Sequence, residues 1–119
     1  MTIIKLTKDN FEQTIESNPI VIVDFWAEWC GPCKSFHPIY ELTAKKFPDI
    51  GFAQVNIETE HELAQAFSIR SIPHLMIFKE QVVIYSESGS LPASALEDLV
   101  KQAQTVDMKV VLENIDKQK

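Results

Sequence analysis

The run Ile20-Val21-Ile22-Val23-Asp24-Phe25-Trp26 constrains the fold more than any other stretch, because it is apolar and β-branched with no polar alternation. A strand of that kind needs cover on both faces, so it predicts a central strand held between two layers of helices. It runs almost directly into Trp29-Cys30-Gly31-Pro32-Cys33, which holds both cysteines of the chain. From Cys33 to Phe47, apolar Phe36, Ile39, Tyr40, Leu42 and Phe47 recur near helical spacing, with Pro38 inside the pattern as a kink. Residues 51–57 read as the next strand, and strand, turn, helix, strand predicts a right-handed βαβ unit.

Further elements surround that unit. Residues 3–6 suit a short first strand, and Thr7 is placed to cap a helix running to Ser17, in which Phe11 and Ile15 share a face; Pro19 ends it. Residues 60–67 suit a short helix with Leu63, Ala64 and Phe67 inward, while residues 74–78 and 82–85 can pair as a hairpin through Lys79-Glu80-Gln81. Gly89 marks a bend, and Pro92 opens a helix to about Thr105. The expected fold class is α/β, a mixed five-strand sheet with helices on both faces. A chain of 119 residues at 45% apolar content buries one core and not two, so a single domain is expected over residues 1–105. Residues 106–119 form a C-terminal extension, helical or partly disordered. Residues 106–110 alternate as a strand would, but Met108, Val111, Leu112 and Ile115 fit one helical face, and that reading is preferred.

The net charge of −6, from 17 acidic and 11 basic residues, is the wrong sign for a phosphate backbone, so no nucleic-acid partner is expected. Residues 20–29 are interrupted by Asp24 and Glu28 and are too short to span a bilayer, so no membrane partner is expected either. Residues 1–10 lack the basic-then-apolar pattern of a secretory signal. A cytoplasmic monomer is the expected state.

Two cysteines separated by two residues can close a small reversible disulfide, and no third cysteine is present to build a static framework. At the start of a helix, unpaired N–H groups and the helix dipole stabilise negative charge. Cys30 stands at that start and is expected to be the more acidic, attacking thiol, with Cys33 a turn deeper as the resolving thiol. Gly31 permits a close approach, and Pro32 stiffens the first turn where its missing N–H costs nothing. Two plainer readings compete. A buried inert pair fits poorly with a Gly-Pro insert at a strand-to-helix junction, which geometry exposes. Half of a zinc site would need ligands from His37, His61 or His74, none of which has knuckle spacing, and no metal is expected.

The segment from Val23 to Lys34, with Trp29-Cys30-Gly31-Pro32-Cys33 at its heart, and the triplet Ser71-Ile72-Pro73 together resemble the thioredoxin family over about residues 3–105. The resemblance implies a thioredoxin fold and a protein-disulfide reductase in which Cys30 attacks a substrate disulfide and Cys33 resolves it. It implies Asp24 as a general base toward Cys33, although an isolated strand-end carboxylate is the commoner case. It further implies a cis Pro73 beside the disulfide, with Ile72, His74 and Gly89 along a groove for extended substrate; Gly89 could equally be only a bend. Trp29 is expected as a contact surface beside the cysteines, and Trp26 in the core. No bound cofactor is implied beyond the redox-active disulfide. Electrons would come from NADPH through a separate flavoprotein thioredoxin reductase, since this chain has no G-x-G-x-x-G segment.

Three departures from the family pattern stand out. His74 replaces a common threonine and puts a titratable ring near the substrate backbone. Gln54 stands where many members place a lysine near the buried aspartate. Glu80-Gln81 replaces Asn-Gly in the last hairpin and suggests a less regular turn. The extension also exceeds the usual family length. Two other functions stay open on sequence alone: an adaptor using the Trp29, Ile72 and Gly89 groove, and a metal-bridged dimer through the cysteines.

Overall fold

The computed structural model describes residues 3–117. Its sheet runs β1 (Ile4–Lys5), β3 (Gly51–Asn56), β2 (Ile20–Trp26), β4 (His74–Lys79), β5 (Val82–Ser88). β2 is parallel to β3 and antiparallel to β4, so the apolar run occupies the centre, as its composition requires. Val21, Ile22, Val23, Asp24 and Phe25 are all fully buried.

Strand alternation sends β2 into two cores. Ile22 packs with Phe36, Tyr40 and Ala44 of α2 (Gly31–Lys46) and with Leu96, Val100 and Ala103 of α4 (Ala93–Thr105). Val21, Val23 and Phe25 pack on the other face with Ile15 of α1 (Phe11–Ser17) and Leu63 of α3 (His61–Ala66). Each such aliphatic or aromatic side chain taken from water contributes about 2 kcal/mol, which makes the two-sided strand the main source of cohesion. The Tyr40 hydroxyl is shared between the carbonyls of Ile22 at 2.9 Å and Ala53 at 2.7 Å, pinning α2 across β2 and β3.

Several sequence expectations shift. α1 begins at Phe11 and Thr7 does not cap it; Asn10 holds the cap position and its Oδ1 accepts the Thr7 N–H at 2.8 Å, so residues 8–10 turn before the helix starts. The Glu80-Gln81 turn is also more regular than expected. Both residues have positive φ, 49° and 69°, the conformation of a tight two-residue hairpin loop that Asn-Gly favours. Trp26 is half-buried rather than in either main core.

The extension continues as α5 (Met108–Lys117). Only part of its apolar face docks: Met108 is buried and Val111 half-buried, but Leu112 and Ile115 are exposed. Residues 118 and 119 lie outside the described residues. Lys79 Nζ donates to the carbonyls of Ala103, Gln104 and Val106 at 2.8, 3.0 and 2.8 Å, tying the end of α4 to the sheet.

Candidate active site

β2 ends at Trp26, and the chain crosses Ala27 to Trp29 before α2 begins at Gly31. Cys30 is the N-cap residue of α2. Its Sγ accepts the Cys33 N–H at 3.2 Å, and Pro32 occupies the first turn. The two cysteines are joined as a disulfide, with Cα atoms 5.2 Å apart. Their exposure corrects one expectation. Gly31 and Pro32 are exposed, but Cys30 and Cys33 are only 4% and 2% exposed, packed with Ala27, Trp26, Ile57 and Ile72. Apolar cover limits how water reaches the pair, while Trp29 stands 67% exposed beside it. A Cβ at Gly31 would meet nothing within 4 Å, so the fold itself does not demand glycine there.

The Ile72–Pro73 peptide is cis, Pro73 is buried and Ile72 packs against the cysteine pair. Gly89 is brought to the same place: its N–H donates to the Pro73 carbonyl at 2.8 Å, and its φ of 109° is a conformation that side chains disfavour. Gly89 thus closes the end of β5 onto Pro73. His74 follows the cis proline at the start of β4. It pairs in register with Phe25, so its ring lies on the α1/α3 face, against the Phe25 ring and bonded through Nε2 to Ser86 Oγ at 2.8 Å. Burial holds its imidazole below the usual range, opposed by the nearby Glu87.

Asp24 lies on the α2 face of the sheet and is fully buried. Its register partner on β3 is Gln54, whose Nε2 donates to Asp24 Oδ2 at 3.3 Å; among the described residues Oδ1 has no hydrogen-bond partner. Burial pushes the carboxyl up to about 7, with the Gln54 bond pulling the other way. A carboxyl so placed is poised to exchange a proton near neutrality.

His37 is the residue that sequence reasoning missed, having considered it only as a metal completion. Its Nδ1 lies 3.0 Å from Gln54 Nε2, and its Nε2 lies 3.1 Å from Glu41 Oε1. The only sequence signal is its place one turn after Cys33 on α2. An open cavity of about 230 Å³ is lined by Trp26, Glu28, Cys33, Lys34, His37 and Gln54, so water has room between the resolving-thiol position and the amide that covers Asp24. No group of three or more potential metal-binding His, Cys, Asp or Glu side chains gathers among the described residues. No helix among them is long and apolar enough to cross a membrane.

Comparison with known proteins agrees with this geometry. The thioredoxin family model matches residues 2–102. A Streptomyces coelicolor protein named "Putative thioredoxin 2" is 50% identical over 115 residues, covering 97% of this chain and 86% of its own. A thioredoxin of Buchnera aphidicola is 40% identical over 102 residues, covering 84% of this chain and 94% of its own. The solved structure of Plasmodium falciparum thioredoxin superposes with a TM-score of 0.78 at 33% identity, covering 84% of this chain and 98% of that one. With a cysteine pair joined at the head of α2 on this sheet, the chain belongs to the thioredoxin family and is a thiol-disulfide oxidoreductase that reduces protein disulfides through Cys30 and Cys33.

Proposed function

We propose that Cys30 attacks the substrate disulfide, that Cys33 resolves the mixed disulfide, and that Asp24 takes the Cys33 proton. The observation that carries this division is the cap of α2: Cys30 Sγ receives the Cys33 N–H at 3.2 Å, whereas Cys33 lies inside the helix. A thiolate at Cys30 would keep that donor and the helix dipole, each of which favours its charged form. The Cys30 thiolate bonds to one substrate sulfur and releases the other as a thiolate. Cys33, its proton passed to Asp24, then bonds to the Cys30 sulfur and releases the second substrate thiolate. Two electrons move from the dithiol to the substrate, leaving the Cys30–Cys33 disulfide.

The surface formed by Trp29, Ile72, Pro73, the backbone of His74 and Gly89 receives an extended segment of the substrate protein, and the missing side chain of Gly31 leaves room for it. A separate NADPH-dependent flavoprotein thioredoxin reductase returns the electrons. The protein acts as a cytoplasmic monomer in electron transfer to protein disulfides, without nucleic-acid or membrane partners, and residues 106–119 extend a domain formed by residues 1–105. Cys30→Ser should abolish disulfide reduction, and Cys33→Ser should accumulate a mixed disulfide at Cys30 that identifies the substrates. Alkylation at mildly acidic pH should label Cys30 before Cys33 in the reduced protein; the opposite order would reverse the roles.

A further inference from the structure

Gln54 Nε2 carries two N–H groups and has two partners, Asp24 Oδ2 at 3.3 Å and His37 Nδ1 at 3.0 Å. For Nδ1 to accept, His37 must carry its proton on Nε2, and there it meets Glu41 Oε1 at 3.1 Å. Glu41 thus selects the tautomer, the tautomer anchors Gln54, and Gln54 is left with one N–H aimed at the buried carboxylate. We propose that His37 is a positioning residue for Asp24, acting through the Gln54 amide. The proposal rests on Asp24 being the base toward Cys33 only for its catalytic consequence.

Neutral His37 holds the amide in the orientation that favours ionised Asp24. Without that acceptor the amide is free to turn and present Oε1 to the Asp24 carboxyl. Oε1 repels an ionised carboxylate but accepts a bond from a protonated one. Other charges face the same space and set the background: Glu41 on α2 pairs with His37, Glu28 and Lys34 line the shared cavity, and Lys5 of β1 lies near the far side of Gln54.

The test follows the Asp24 carboxyl by carbon NMR titration of the oxidised protein. His37→Ala should raise its midpoint by about half a pH unit or more, because the amide loses its anchor. His37→Asn, which puts an untitrating oxygen where Nδ1 was, should restore the wild-type midpoint. In a Gln54→Ala background, His37→Ala should change nothing. Superimposable titrations of wild type and His37→Ala overturn the proposal, as does an equal shift with Gln54 removed, which would reveal a direct charge effect. Resolution of a mixed disulfide below the Asp24 midpoint should slow about threefold in His37→Ala and recover in His37→Asn. If Asp24→Asn resolves as fast as wild type, Asp24 is not the base, and the carboxyl titrations still decide the role of His37.

Discussion

At the scale of the residue, Asp24 is a group that the fold holds at a cost. A carboxyl whose ordinary value is 3.8 sits near 7, chiefly because burial penalises its charge, and a single amide bond offsets only part of that. The folded state therefore binds a proton that the unfolded chain has released between those values. Stability is fully present below the lower value and falls as the pH rises through the upper one, by an amount on the order of 4 kcal/mol. Asp24→Asn should be more stable than the wild type at about pH 8 by a few kcal/mol, and the gap should narrow toward about pH 5. Denaturant melts at the two pH values measure it. A variant less stable than wild type at the higher pH would mean that Asp24 gains more from ionised partners than burial takes away. The residue was conspicuous in the sequence as a charge in an apolar strand. Its neighbours were not: Gln54 meets it only through strand register, and His37 only because α2 lies across that pair.

At the scale of the element, patterns that repeat along the chain were legible and choices made by a neighbour were not. β2 and α2 followed from composition and helical spacing, because each buries its own stripe of side chains. The hairpin followed too, but its turn was misjudged. Lys79 and Val82 pair across a two-residue connection, next to a one-residue shift of the ladder between Ile77 and Phe78, and a tight turn of this kind favours positive φ, so Glu80 and Gln81 adopt it without the glycine that would ease it. Glu80→Asn combined with Gln81→Gly should raise stability by about 1 kcal/mol, read as a higher denaturation midpoint with an unchanged slope. An unchanged or lower midpoint would show that the present side chains stabilise the turn in other ways. His74 is a related case. Its orientation is decided by the pairing of His74 with Phe25, which turns the ring to the α1/α3 face.

At the scale of the whole molecule, the redox site sits at one end of the sheet, and the extension is anchored through the other end of β4. Lys79 binds the last carbonyls of α4 and that of Val106, and Met108 then buries itself at the start of α5. Removing residues 107–119 should lower stability by about 1–3 kcal/mol, mainly through loss of the buried Met108, while disulfide reduction proceeds at the wild-type rate. Matching denaturation curves for the full and shortened chains would show that the docking contributes nothing. A slower reduction would tie α5 to the site.

By itself, the sequence determined the sheet's central strand, the helix that follows it, the cysteine pair at their junction and the burial of Asp24. These depend on local pattern: a stripe of apolar residues, a proline well suited to a helix opening, two thiols spaced to meet across one turn. Only the tertiary structure decided which face each side chain occupies and what it meets there. The alternation of a strand leaves two choices, and the pairing register of three strands selects one of them for Asp24 with Gln54 and the other for His74 with Phe25. The His37 contact, the closing of Gly89 onto Pro73 and the partial docking of α5 follow from packing between segments remote in the chain, where no local preference of any one of them specifies the partner.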